Sequence, residues 1–301
     1  MRAVVTGGAG FIGSHVVEAL LARGDEVYVL DDLSRGRPDR IAAGAELHVG
    51  DIREPDAVFD AVRPEAVLHL AAQADVRVSV EDPALDADVN VLGTVRILEA
   101  ARRHGAKVIF ASTGGAIYGE CDGPATESAE RRPLAPYGTS KLCGEEYLAT
   151  WNRLYGTGHV SLRFANVYGP RQEPHGEAGV VAIFMGLLRG EGTPKIYGDG
   201  SQTRDYVFVA DVVRAMLAAL DHDDGGVFNV GTGVETSVAD LYDAVQRTSG
   251  VTREPAFAAA RLGELQRSVL DIGLAASELG WRPAHPLEDG LARTWAWVLE
   301  E

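Results

Sequence analysis

The sequence predicts an α/β protein built on a doubly wound parallel sheet, with a smaller C-terminal lobe. Three observations carry that expectation. Through the first 165 residues, short apolar runs alternate with longer amphipathic stretches, the pattern of β-α-β units laid side by side. A glycine-rich turn, Gly7-Gly8-Ala9-Gly10-Phe11-Ile12-Gly13, follows the first apolar run directly and opens a helical period. From about Asn166 the alternation loosens into Gly- and Pro-rich loops between further helical stretches.

In chain order, strands are expected at 3–6, 26–30, 46–49, 66–70, 107–111 and 159–163, each a short run rich in apolar residues. Helices are expected between them at 11–23, 55–62, 84–104 and 139–155, where apolar residues recur every three to four positions. Beyond 165 the helical stretches fall at 180–189, 210–220, 238–249 and 287–298. Val227 to Val230 reads as one more buried strand, able to rejoin the large sheet. The expected division is therefore a nucleotide-binding domain over 1–165, rejoined near 227–230, and a mainly substrate-binding lobe over 166–301.

Composition bounds the function. The 301 residues are 46% hydrophobic and 24% charged, enough apolar material for one large core or two linked ones. A formal net charge of -16 argues against nucleic acid or an anionic membrane as partner, since neither would be attracted. No apolar run approaches the roughly 18–20 residues that span a bilayer, and a cytoplasmic protein is expected. Cys121 and Cys143 have no metal-ligand spacing, so no metal site is expected.

The glycine turn is the first candidate site. Gly7, Gly10 and Gly13 would allow a tight turn, close approach of backbone to a pyrophosphate, and close packing of helix on strand, with Phe11 and Ile12 opening that helix. Asp31 ends the second strand 18 residues beyond Gly13, where a carboxylate accepts hydrogen bonds from the ribose hydroxyls of an adenosine and repels a 2′-phosphate. That favours NAD over NADP, although Arg35 is close in sequence. Asp32, Ser34, Arg35 and Gly36 are counted with Asp31 as cofactor-binding. Asp51 and Ile52, directly after the third strand, are placed to meet the adenine ring; an acidic cap before the next helix is the plainer reading of Asp51.

The second candidate is Tyr137-Gly-Thr-Ser-Lys141. Residues four apart share a helix face, so the phenol and the ammonium can enter one site. A nearby cation favours ionised Tyr, whose ordinary pKa of about 10 makes it a poor base at neutral pH.

Taken together, Gly7-x-x-Gly10-x-x-Gly13, His69-Leu-Ala-Ala-Gln73, Asn90, Ser112-Thr113 and Tyr137-x-x-x-Lys141 resemble the extended short-chain dehydrogenase/reductase family, over the whole chain. Within it, the runs Ser112 to Glu120, Asn166 to Arg171 and Arg204 to Val209 are most similar to UDP-glucose 4-epimerases and their nucleotide-sugar relatives. The resemblance implies a Rossmann-type sheet and a tightly held NAD that passes one hydride out and back. It implies that Leu70, Ala71, Ala72 and Gln73 line the cofactor, that Asn90 steadies it, and that Ser112 and Phe164 belong to the same site. It places Asn166, Val180, Tyr197, Arg204, Arg261, Glu264 and Ser268 around a UDP-sugar. The arginines suit that ligand, because a guanidinium matches a phosphate bidentately.

On this resemblance Tyr137 is the base at the sugar C4 hydroxyl, Lys141 lowers its pKa and holds the nicotinamide ribose, and Thr113 bridges the sugar oxygen and Tyr137. Sugar-nucleotide 4,6-dehydratases resemble the chain but carry an acid and a base after the equivalent Thr. Here Gly114 and Gly115 follow, leaving room near the sugar. Ser268, small where relatives set pocket width, is expected to admit N-acetylhexosamine forms as well. The alternatives are a UDP-glucuronate 4-epimerase, another nucleotide-sugar epimerase or reductase, and a noncatalytic NAD-sensing scaffold. A homodimer is expected through the helices at 84–104 and 139–155, with Val91, Val95, Ile97 and Leu98 as candidate contacts or core.

Overall fold

In the computed structural model, which describes residues 1–174, 179–260 and 265–301, the first half of the chain alternates as follows. β1 (Arg2–Thr6), α1 (Phe11–Ala22), β2 (Glu26–Asp31), β3 (Glu46–Val49), α2 (Asp56–Val62) and β4 (Ala66–His69) come first. Then come α3 (Val76–Glu81), α4 (Pro83–Ala87), a π-helical turn (Asp88–Leu92), α5 (Gly93–His104), β5 (Lys107–Thr113), α6 (Gly114–Ile117), α7 (Pro136–Tyr155) and β6 (Val160–Phe164). The second half adds β7 (Asn166–Tyr168), α8 (Val180–Arg189), β8 (Lys195–Tyr197), β9 (Thr203–Arg204), β10 (Tyr206–Phe208), α9 (Val209–Asp221) and β11 (Gly226–Val230). It closes with β12 (Thr236–Ser237), α10 (Val238–Ser249), β13 (Ala256–Ala258), β14 (Arg267–Ser268), α11 (Gly273–Glu278) and α12 (Leu287–Glu300).

Seven strands form one parallel sheet in the order β3-β2-β1-β4-β5-β6-β11. The order reverses between β1 and β4, and in such sheets that switch point opens a crevice at the carboxyl ends of the strands. Alternate side chains of one strand enter opposite cores: Ala3 and Val5 pack with α1 and α9, Val4 with α2, α5 and α7. A third cluster, from α8, α10 and α12, supports the small sheets that follow β6. Those sheets pair β7 with β10, β8 with β13, and β9 with β12 and β14. None of the described helices is long and apolar enough to cross a membrane.

Strand ends differ from expectation by a residue or two; β5 runs on to Thr113. The larger departure is the helix expected over 84–104, which is three pieces. Pro83 starts α4, the next turn widens to π geometry, and α5 begins at Gly93. A Cβ at Gly93 would lie 2.7 Å from Ile52 Cδ1, so glycine lets α5 settle on the 51–53 turn. The helix α3 has no counterpart in the expected elements; Asp75 caps it by accepting the N–H groups of Arg77 and Val78.

Candidate functional site

At the switch point the chain turns at Gly7, whose φ of 70° lies in the left-handed region. A Cβ there would also sit 2.7 Å from the Ala71 nitrogen. On Gly13 a Cβ would meet the Gly7 carbonyl at 2.1 Å, so α1 packs this close only with glycine. Gly10 precedes α1 without any side-chain cap. The N–H groups of Phe11, Ile12 and Gly13 thus have no capping side chain, as suits a helix end that binds an anion.

Asp31 is 6% exposed at the end of β2. Its carboxylate accepts the N–H groups of Ala9 and Leu33, each at 2.9 Å, and Gly36 packs so closely that a Cβ would lie 2.6 Å from Oδ1. Burial raises the Asp31 pKa, and those two hydrogen bonds oppose it. Each oxygen keeps a further lone pair for a ribose hydroxyl. Asp32 accepts the Ser34 N–H and hydroxyl, shaping the loop, and Arg35 is exposed. Asp51, expected at the adenine ring, has partners within the protein. Arg53 donates its N–H and guanidinium to that carboxylate and also pairs with Asp88, which holds Asp51 below the usual carboxylate range. Ile52 is buried against the core.

Leu70, Ala71 and Ala72 form a half-buried platform whose position depends on groups that sequence reasoning left unassigned. The Thr6 hydroxyl accepts the N–H groups of Leu70 and Ala71 at 3.2 Å and lies 2.7 Å from His69 Nδ1. His69 Nε2 is 3.1 Å from the Thr94 hydroxyl, which donates to the Asn90 carbonyl at 2.6 Å. Because Thr94 already gives its proton to that carbonyl, Nε2 is the donor and Nδ1 accepts from Thr6. Burial, with the Lys141 charge added, pushes the imidazole down to about 3. Asn90 brackets Gln73, accepting its N–H and donating to its carbonyl, both at 2.8 Å. The Gln73 side chain itself turns away, to the Asp75 backbone and Asp86.

Thr113 ends β5 beside Phe164 of β6. A Cβ on Gly115 would sit 3.7 Å from Asn166 Oδ1 and 4.0 Å from Thr113 Oγ1, in ordinary contact, so these two side chains flank one open position. Gly114 is not part of that opening. A Cβ there would lie 2.6 Å from a Leu270 methyl, so its smallness accommodates Leu270. The Ser112 hydroxyl donates to Glu145. Phe164 is buried in the core below the sheet edge.

Pro136 starts α7, which puts Tyr137 in its first turn and Lys141 one turn on. The Lys141 ammonium donates to the Ala111 carbonyl at 2.9 Å, lies 4.8 Å from the Phe110 ring centre and 6.0 Å from that of Tyr137. Burial pushes Lys141 down to about 8, with Asp86 and Glu145 pulling the other way. Burial, then Asp86, push the Tyr137 phenol up to about 12. Loss of hydration is the larger of the two effects.

On the other lobe, strand pairing joins candidates distant in sequence. Asn166 of β7 pairs with Tyr206, two residues beyond Arg204, and Arg204 of β9 pairs with Ser268 of β14. Tyr197 ends β8, its carbonyl accepting from Gln202, and Val180 opens α8. Arg261 and Glu264 lie outside the described residues. Among the described residues no group of three or more His, Cys, Asp or Glu could hold a metal.

The uncapped start of α1, the Asp31 carboxylate and the 70–72 platform fit the pyrophosphate, ribose and ring of a dinucleotide. Comparison with known proteins agrees. Residues 3–231 match the model described as NAD dependent epimerase/dehydratase family. The UDP-glucose 4-epimerase of Mycolicibacterium smegmatis is 48% identical over 304 residues, covering 98% of this chain and 97% of that protein. The structure of the UDP-glucose 4-epimerase of Thermotoga maritima with UDP-glucose is similar at a TM-score of 0.97 and 45% identity, covering 100% of this chain and 99% of that one. For the UDP-glucose 4-epimerase of Thermus thermophilus in complex with NAD, the TM-score is 0.93 at 45% identity, covering 99% of each chain.

Proposed function

The chain belongs to the NAD dependent epimerase/dehydratase family, and from that premise we propose that it interconverts UDP-glucose and UDP-galactose through a transient 4-keto sugar, with NAD as cofactor. The observation that carries this reading is a phenol and an ammonium on one turn of α7, with Thr113 across the sheet edge and only glycines at 114 and 115. That set can move one proton and return it; it has no second acid–base pair for eliminating water.

Bound NAD would supply a hydride acceptor and donor for the sugar C4, and its cationic ring would add to the Lys141 charge near the phenol. Tyr137 takes the C4 hydroxyl proton as the hydride leaves, and returns it to the same oxygen afterwards. With a high pKa of its own the phenol is protonated at neutral pH, so added positive charge beside it is what would let Tyr137 ionise and act as the base. Lys141, fixed by the Ala111 carbonyl, holds the nicotinamide ribose, and Thr113 orients the C4 oxygen. The open position at Gly115 lets the sugar present either face, while Asn166, Tyr197, Arg204, Arg261 and Glu264 grip the nucleotide diphosphate. Val180 and Ser268 complete the substrate lobe of 166–301, and N-acetylhexosamine forms are included among the substrates.

We propose a cytoplasmic homodimer. Leu92, Tyr147, Leu154 and Tyr155 stand exposed around α5 and α7, which supports pairing through those helices, whereas Ile97 and Leu98 are buried in the core. The test of the function is incubation of purified protein with UDP-glucose and no added coenzyme. UDP-galactose should form, and Tyr137→Phe should abolish turnover while NAD stays bound. Unchanged turnover in Tyr137→Phe would remove that residue from the mechanism.

A further inference from the structure

Asp205 lies between Arg204 of β9 and Tyr206 of β10 and is 1% exposed. Both of its carboxylate oxygens are fully used. Oδ1 accepts the Thr232 N–H at 2.8 Å and the Thr232 hydroxyl at 2.6 Å; Oδ2 accepts the N–H groups of Gly233 at 3.1 Å and Leu270 at 3.4 Å. These donors match the roughly four lone pairs of a carboxylate, whereas an amide would turn its own NH2 on two of them. The surroundings are shaped for that group. A Cβ on Gly231 would lie 2.4 Å from Oδ2, and Gly233, at a left-handed φ of 73°, lets successive backbone donors converge on one anion. Burial raises the Asp205 pKa, and the hydrogen bonds from Thr232, Gly233 and Leu270 oppose it.

The donors come from the places where the chain passes between the large sheet and the substrate lobe. β11 pairs with β6 up to Val230, and the 231–233 turn then carries the chain to β12, where Thr236 pairs with Arg204. β6 itself ends at Phe164, and two residues on Asn166 starts β7, its N–H donating to the Asp205 carbonyl at 2.9 Å. Leu270 follows β14, where Ser268 pairs with Arg204, and its side chain packs over Gly114 just beyond β5. β9 has two residues and β7 three, too few to hold their places by ladder bonds alone. We propose that Asp205 is a positioning residue for UDP-sugar binding: its carboxylate and carbonyl fasten these three junctions together and so fix Arg204 and Asn166 against the sheet. The inference rests on the roles given to Arg204 and Asn166 above.

The test is calorimetric titration of the NAD-loaded protein with UDP, alongside amide hydrogen exchange. In Asp205→Asn, UDP should bind about tenfold more weakly, the scale of losing a hydrogen bond to a charged group, while NAD stays bound. KM for UDP-glucose should rise in step, with kcat near native. Exchange should quicken at Asn166, Thr232, Gly233 and Leu270 and stay native in β1 and β4. Thr232→Val removes one of the four bonds and should give a smaller loss in the same direction, whereas Thr232→Ser, which keeps the hydroxyl, should bind UDP as the native protein does. That pair decides the matter should Asp205→Asn fail to fold. Unchanged UDP affinity in Asp205→Asn or in Thr232→Val overturns the proposal. So does an NAD affinity that falls in parallel with that for UDP, since general loosening would then explain both. The exchange comparison needs no sugar nucleotide. A native protein that binds no UDP would defeat the proposed function, and the exchange pattern would then decide whether the carboxylate fastens the three junctions.

Discussion

Replacing Arg163 with Met is expected to destabilise the protein by about 3–5 kcal/mol, the usual cost of stranding one member of a buried ion pair. Arg163 of β6 and Glu145 of α7 are each 2% exposed at the side chain. The guanidinium donates to Glu145 from Nε at 2.9 Å and from Nη2 at 2.6 Å, and its Nη1 reaches the Tyr118 hydroxyl at 2.6 Å and the Glu127 carbonyl at 3.1 Å. These carboxylate contacts hold the guanidinium above its usual pKa range, so the cation is never surrendered. Met fills the aliphatic volume but leaves Glu145 with the Ser112 hydroxyl as its remaining donor. Against a total stability of roughly 5–15 kcal/mol the loss is large. The assay is urea unfolding at saturating NAD, comparing midpoints at constant m-value. Arg163→Met combined with Glu145→Leu removes both charges and should recover most of the loss. The reasoning fails if Arg163→Met costs less than about 1 kcal/mol, or if the double variant costs the sum of the two single ones. Glu145 shares the α7 face of Tyr137 and Lys141 at successive four-residue steps, so turnover should fall with stability in the single variant.

Three further outcomes are expected. Gly114→Ala and Gly115→Leu should separate: the first forces a Cβ to 2.6 Å from Leu270 and should cost about 1–3 kcal/mol with KM little changed, whereas the second should leave the unfolding midpoint near native and raise KM for UDP-glucose. A raised KM in Gly114→Ala alone would reverse the assignment. His69 and His159 are held neutral to about 3 and about 4 by burial, against an ordinary 6.5, so between those values the unfolded chain binds more protons and stability must fall as pH drops. Each contributes up to about 1.4 kcal/mol per pH unit. The slope of urea midpoints between pH 7 and pH 5 should therefore be shallower in His159→Gln than in the native protein, and equal slopes would contradict the burial argument. Finally, Ser268→Tyr should cut activity on UDP-N-acetylglucosamine more than on UDP-glucose; an unchanged ratio of the two removes Ser268 as the determinant of pocket width.

What could be read along the chain was whatever a few consecutive residues encode. Strand and helix periods, the turn that only glycine allows at 7 and 13, and the four-residue step from Tyr137 to Lys141 are local, and a doubly wound sheet follows from their alternation. Asp86 four residues before Asn90, and Glu145 four after Lys141, carried the same kind of signal, but nothing local says that a carboxylate on a helix is buried. The tertiary structure decided partners and environment. It set the strand order that places β1 beside β4, broke the helix expected over 84–104 into a π turn where Gly93 meets Ile52, and turned Ser112 toward Glu145 and Gln73 toward Asp86. It also set the environment of Tyr137, whose pKa burial raises. The physical reason is one of range: backbone conformation answers to neighbours within a turn, whereas the energy of a buried charge or hydroxyl depends on hydration lost and on donors that the sequence keeps far away, as Thr6 and His69 are kept 63 residues apart.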